Sequence, residues 1–299
     1  MIIFVIWLIA AIVVIYLLMQ AGISWLTLHP VRTPLFLSPG YLGTQQEDVE
    51  LVTDDGVSLA TWWIPGESKE WVAVLAHGYL MNRSELSGTA AYLNRKGLPC
   101  LLFDFRCHGR SRGRRCTIGL DEMADVVAAC RWVRAKAPGA KIMVIGSSMG
   151  AAAGALACGR DASLAEALVL DGAYSNLAVA VPGWWRFVGG EFAFWFCKPV
   201  IVFSRLLTGI NPRTVDVTAA LSQFEGPVMF IHGDCDPLAT PDQCRENLAA
   251  CKGEATVEWF PGAGHAEGRW TDPVRYFAAL DRFLEAISEK QRPGTPLGS

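Results

Sequence analysis

At 299 residues, 52% of them hydrophobic, the chain suffices for one large domain or two small ones, and such a domain buries roughly three quarters of its unfolded surface. A net charge of −3 lacks the basic excess that nucleic-acid binding needs, so no nucleic-acid partner is expected. A charged fraction of 18% is low for a chain bathed wholly in water, and the deficit has a visible source.

That source is the N-terminus. MIIFVIWLIAAIVVIYLLM, Met1 to Met19, is an uninterrupted apolar run; Gln20 is the first strongly polar side chain and Arg32 the first charged one. As a helix it spans the roughly 30 Å hydrocarbon core. A cleaved signal peptide would show a basic start, a shorter apolar stretch and a small-residue cleavage site. Those features are missing, so residues 1–28 read as a single-pass membrane anchor, with Trp25 at the far interface. Arg32 after the span, with no Lys or Arg before it, puts the bulk of the chain on the cytoplasmic side. Nine irregularly spaced cysteines suit a reduced compartment, and Cys235, Cys244 and Cys251 show no CxxC or Cys/His spacing, so no metal is expected.

HPVRTPLFLSPGYLG, His29 to Gly43, is rich in Pro and Gly and reads as a linker, taken as 29–46. Alternation on both sides of Asp55-Gly56 predicts a β-hairpin with a type I′ turn. Strands and helices then alternate: a strand at 71–78, a helix near 84–96, a strand at 98–106, a helix near 119–137, a strand at 141–147, a small-residue helix from 149 and a strand at 167–173. The pattern resumes with a strand at 226–233, a helix near 241–251, a strand at 255–262 and a last helix in which Val274, Phe277, Leu280, Leu284 and Ile287 recur at helical spacing. The strands are continuous apolar runs, as in a parallel sheet covered on both faces. The expectation is an α/β fold over 47–290, a hairpin leading into a doubly wound sheet, with a flexible tail at 291–299.

Asn176 to Pro212 interrupts this order with seven aromatic residues between Trp184 and Phe196, without strand alternation. A second membrane span is its rival, but Arg186 and Glu191 lie inside it. It reads as a helical lid whose Trp184, Trp185, Phe187 and Trp195 face an oily substrate or the bilayer surface, with a plain core-packing insertion as the alternative.

Gly146-Ser147-Ser148-Met149-Gly150 matches G-x-S-x-G at the junction of a buried strand and a helix, where a tight turn needs flanks without bulk. The register selects Ser148 as the nucleophile and leaves Ser147 as a support. A serine needs a base. Of five histidines, His29 lies beside the membrane segment, His77 and His232 end strands in His-Gly pairs, and His108 sits among arginines that disfavour its protonated form. His265, in the glycine-flanked PGAGHAEG after the last strand, remains. A carboxylate must fix the base's tautomer. Asp236 in HGDCDP is the choice, with Asp234 as its nearest rival and Asp171, on the strand after the nucleophile helix, as a further alternative. RCHGRSRGRR, Arg106 to Arg115, would attract an anionic headgroup or simply pair with backbone and acids.

With these pieces in order, the chain resembles the α/β-hydrolase superfamily over Asp48 to Ile287, and within it the membrane-anchored, serine aminopeptidase-like and lysophospholipase-like branch. The matching stretches are HGYLMNR (77–83), DFRCHGRSRG (104–113), GSSMG, IHGDCDP and GAGH. The resemblance implies an oxyanion hole from the backbone N–H groups of Tyr79 and Met149. It implies a Ser148-His265-Asp236 hydrolase of carboxylic esters, lipid-like ones such as a lysophospholipid or acylglycerol, working without metal or organic cofactor. An amidase or peptidase using the same triad, and a non-catalytic binding protein, are the alternatives.

Overall fold

The computed structural model describes residues 1–289, so the tail expected at 291–299 lies outside the described residues. Eight strands form one sheet: β1 (Glu47–Val52), β2 (Ser58–Ile64), β3 (Trp71–Ala76), β4 (Cys100–Phe103), β5 (Lys141–Ser147), β6 (Ala167–Asp171), β7 (Val228–Gly233) and β8 (Ala255–Phe260). Their order is β1-β2-β4-β3-β5-β6-β7-β8, antiparallel where β2 meets β1 and β4, and parallel from β4 to β8.

Ten helices accompany the sheet among the described residues: α1 (Ile2–Leu28), α2 (Ser87–Arg95), α3 (Met123–Lys136), α4 (Met149–Arg160), α5 (Leu177–Cys197), α6 (Val200–Thr208), α7 (Val217–Leu221), α8 (Pro241–Ala250), α9 (Gly268–Thr271) and α10 (Pro273–Glu289). The period of two along each strand divides the sheet's side chains between two cores. Val72, Val74, Ile142 and Val144 face α3, α4, α7 and α8, whereas Ala73, Leu75, Met143 and Ile145 face α2 and α10. Both faces are covered, which is why β3 to β7 are apolar at nearly every position.

Three expectations need correction. The hairpin turn is not type I′, because Gly56 (φ +80°) has positive φ but Asp55 does not. The Gly56 N–H donates to the Thr53 carbonyl at 2.9 Å, and Thr53 Oγ1 and the Arg106 guanidinium hold Asp55 in place. In α10 Leu280 and Ile287 are buried and Phe277 and Leu284 pack at the margin as the spacing predicts, but Val274 is 80% exposed, and Tyr276, Ala279 and Phe283 complete the buried stripe. Finally, the segment read as a linker is laid onto the domain. Asn82 Nδ2 donates to the Thr33 and Pro34 carbonyls, Ser87 Oγ to the Leu37 carbonyl, and Arg32 to the carbonyls of His108, Gly109 and Ser111.

Candidate active site

The parallel strands deliver their loops to one edge of the sheet. β5 ends at Ser147 and α4 starts at Met149, so Ser148 occupies the whole turn between them, with φ 51° and ψ −112°. A residue with a Cβ pays about 1–3 kcal/mol to sit in such a region, and only surrounding structure can hold it there. The flanks supply that structure. A Cβ on Gly146 would lie 2.4 Å from the Ala151 nitrogen, and one on Gly150 only 2.1 Å from the Ala76 carbonyl oxygen, so both contacts require glycine. Ala151, Ala152, Ala153 and Ala155, all fully buried, then seat α4 against the sheet.

His265, in the loop after β8, brings Nε2 to 2.7 Å from Ser148 Oγ and Nδ1 to 2.8 Å from Asp236 Oδ2. The carboxylate accepts from Nδ1–H, which leaves Nε2 free to accept from the serine hydroxyl. The Asp236 side chain is fully buried, and its Oδ1 accepts the Leu238 and Ala239 N–H groups at 2.8 and 2.9 Å, so the loop after β7 fixes its direction. The two other aspartates are occupied elsewhere. Asp234 Oδ1 accepts the Gly262 N–H at 2.7 Å, and Asp171 Oδ2 faces Arg269 Nη1 at 3.3 Å.

The loop after β3 lies against the elbow, a Cβ on Gly78 being 3.6 Å from the Ser148 Cβ. The Tyr79 side chain turns away, its hydroxyl donating to the Thr27 carbonyl at 2.7 Å, and Met149 begins α4, where a first-turn N–H has no intrahelical acceptor. His77 supports this loop from below. Its Nε2 accepts the Phe105 N–H at 2.9 Å, so its Nδ1–H donates to the Gly78 carbonyl at 2.7 Å.

Sequence reasoning missed a buried charge cluster beneath the elbow. Glu85 accepts from the Gly78 N–H at 2.7 Å and from Ser147 Oγ at 2.8 Å, and Arg269 bridges Glu85 and Asp171. Burial would raise the Glu85 carboxyl, but the Arg269 guanidinium and the Gly78 N–H bring it below its ordinary value. Asp171, also buried and farther from the guanidinium, is pushed up to about 6. These residues share no spacing; Asp171 at the end of an apolar strand was the only signal, and Glu85 and Arg269, in short helical turns, gave none.

A cavity of about 410 Å³ opens over Ser148 and His265, within the range of small-molecule sites. Trp184 and Trp185 line it, together with Val200 and Ile201 of α6 and, unanticipated from sequence, Thr27 and Leu28 of α1. Two of the expected lid contacts are absent from its wall. Phe187 and Trp195, each 61% exposed, point outward: Phe187 falls on another side of the helical turn that carries Trp184 and Trp185, and Trp195 lies beyond the break that Gly189 and Gly190 make in α5. In the arginine-rich loop, buried Arg106 pairs with Asp125 and Asp55, and Arg115 pairs with Asp121.

The strand order, the antiparallel edge and the strand-elbow-helix unit at β5 and α4 define the α/β-hydrolase fold. The family model described as serine aminopeptidase, S33, matches residues 67–202, and over that stretch the chain is similar to this branch of the α/β-hydrolases. An uncharacterised protein of Mycobacterium tuberculosis is 29% identical over 242 residues, covering 79% of this chain and 78% of that protein. The α/β-hydrolase domain-containing protein WAV2 of Arabidopsis thaliana is 24% identical over 276 residues, covering 86% of this chain and 84% of its own. Among solved structures, the Pyrococcus furiosus esterase Pf2001 superposes with a TM-score of 0.73 at 25% identity, covering 87% of this chain and 98% of that one.

Proposed function

We propose that this hydrolase is a membrane-anchored serine esterase acting on lipid-like carboxylic esters. The observation that carries the reading is the relay from Ser148 Oγ to His265 Nε2 (2.7 Å) and from His265 Nδ1 to Asp236 (2.8 Å) at the floor of an apolar cavity. Ser148 Oγ attacks the acyl carbon while His265 takes its proton; the Tyr79 and Met149 N–H groups stabilise the oxyanion. His265 returns the proton to the leaving alcohol, and a water activated by the same ring releases the acid. The likeness to the Pyrococcus furiosus esterase supports an ester over an amide.

Support for a retained anchor comes from its integration. Leu28 accepts the Cys116 N–H at 2.7 Å, and residues of α1 wall the cavity, so removing the helix would open the site. An anchor ending at 28, a segment at 29–46 strapped onto the hydrolase domain, and a cytoplasmic placement of that domain complete the reading.

The test uses detergent-solubilised full-length protein with a fluorophosphonate probe, p-nitrophenyl esters of graded chain length and aminoacyl amides. Wild type is expected to label and to prefer medium or long acyl esters. Ser148→Ala is expected to lose labelling and about 10⁶-fold in kcat with an unchanged unfolding temperature. Wild type that stays unlabelled, or a variant that labels equally, overturns the assignment; faster turnover of the amides replaces the esterase by an amidase.

A further inference from the structure

The lid and α1 form one packed unit. Three α1 side chains spaced four residues apart bond the lid backbone: Tyr16 Oη and Gln20 Nε2 donate to the Phe196 carbonyl at 2.8 and 2.9 Å, and Ser24 Oγ to the Val200 carbonyl at 3.0 Å. Those carbonyls flank the break at Lys198-Pro199, where α5 and α6 meet at 75°. In water, solvent would serve interrupted backbone; next to hydrocarbon, protein side chains must do so. Gln20 and Ser24 are fully buried in a helix whose residues up to Ile15 are exposed, which marks this face of α1 as built for the lid.

The register sets a depth. Ile2 to Gln20 rises about 28 Å at 1.5 Å per residue, which matches the hydrocarbon core. The boundary nearer the domain therefore falls at Gln20, with Tyr16 about 6 Å deeper, and both side chains hold the lid there at the Phe196 carbonyl. There Phe187, Val188, Phe192 and Trp195 are 61%, 56%, 78% and 61% exposed, and Phe192 stacks on Phe196, whose ring meets that of Tyr16 on α1 edge-on. The charges nearby are tethered to aromatic rings or to each other: Lys198 Nζ lies 4.8 Å from the Trp195 ring, and Arg186 sits over Phe194 and pairs with Glu191. Exposed aromatics with basic neighbours are what the interfacial zone of a bilayer accommodates.

We propose that the lid tip, Phe187 to Lys198, is a membrane-docking surface seated in the interfacial zone of the bilayer that holds α1, with Tyr16, Gln20 and Ser24 as the clamp that sets its depth. The inference rests on reading α1 as a retained anchor. Its consequence is that the cavity, whose wall α1 and α6 share, is held beside the lipid phase.

The test is photolabelling of the full chain in phosphatidylcholine vesicles carrying a phosphatidylcholine with a diazirine near the glycerol end of one acyl chain, with adducts mapped by peptide mass spectrometry. Adducts are expected on residues 187–196 as well as on α1. In the combined variant Tyr16→Phe, Gln20→Leu, Ser24→Ala, lid adducts should fall at least about fivefold while those on α1 persist, since intramembrane hydrogen bonds each contribute modestly and three are lost. Thermal unfolding of the variant in detergent checks that the domain is intact. Adducts on α1 alone overturn the docking surface and leave the anchor standing. Their absence from α1 overturns the anchor reading and the proposal with it. A folded clamp variant with wild-type lid labelling overturns the role of the three side chains.

Discussion

At the carboxyl edge of the sheet, polar and charged side chains are buried and matched atom by atom: Asp236 with His265 and two backbone N–H groups, Glu85 with Arg269, Ser147 and Gly78. In the lid the arrangement is inverted. Near its tip Arg186 and Glu191 are 46% and 65% exposed, and Phe187, Phe192 and Trp195 face outward beside them, whereas Trp184 and Trp185 turn to the cavity. The first region carries its partners within the chain, so its geometry is over-determined. The second, on the proposal above, is completed by the bilayer, and its backbone is held by side chains of α1. Substitutions that remove a partner should therefore act strongly at the edge and weakly in the lid.

The largest expected effect tests the edge. Asp236→Asn should lower kcat for a soluble ester by about 10⁴-fold, because an amide can present its N–H to His265 Nδ1 and favour the wrong tautomer. Asp234→Asn, whose carboxylate holds only the Gly262 N–H, and Asp171→Asn should each cost less than about tenfold, since neither aspartate touches the ring. Steady-state kinetics on the three variants decides it; a dominant loss at Asp171 would reassign the acid.

Next in size is a pair of guanidinium deletions. Arg269→Leu strands Glu85 and leaves Asp171 without its cation in the protein interior, and is expected to cost about 3–5 kcal/mol in urea or thermal unfolding. Arg186→Leu breaks an exposed pair with Glu191 and is expected to cost less than about 1 kcal/mol. Equal losses would erase the contrast between the regions.

The same contrast explains what the sequence disclosed. Ser148 was legible because the elbow needs glycine at 146 and 150, a steric demand written locally. His265 and Asp236 were legible because chain order and strand ends constrain which loops can meet, although Asp171 and Asp234 stayed open until distances separated them. Glu85 and Arg269 were not legible: 184 residues apart, they are joined only by the fold. The lid was recognisable from its aromatic composition, but composition carries no direction, so Phe187 and Trp195 were grouped with Trp184 and Trp185 although both face outward. The spacing of Tyr16, Gln20 and Ser24 was present in the sequence, hidden by the apolar character of the helix around it.

Acid offers the gentlest way to separate the regions. His77, fully buried under the 78–79 loop, is held down to about 4 by burial, against the pull of the Gly78 carbonyl and Glu85. Its Nε2 accepts the Phe105 N–H, so protonation would cost that bond as well. The unfolded chain takes up the proton near pH 6.5 and the folded one resists until about 4. The stability His77 contributes is therefore complete above pH 6.5 and is lost as pH falls towards 4, by at most about 3 kcal/mol at 1.36 kcal/mol per unit. His108, held down to about 3 by its own burial, acts in the same direction. Asp171 and Asp125, pushed up to about 6 and about 7 chiefly by burial, act in the opposite direction: their stability is present below the ordinary carboxylate range and is lost as pH rises through those values. The wild-type profile mixes these signs, so the informative quantity is the difference from His77→Gln. Thermal unfolding in detergent between pH 7.5 and 4 should show the variant less stable at neutral pH and the gap closing with acid; a gap independent of pH would mean that His77 takes up its proton in the fold as readily as in the unfolded chain, and a gap widening with acid that it is already charged in the fold.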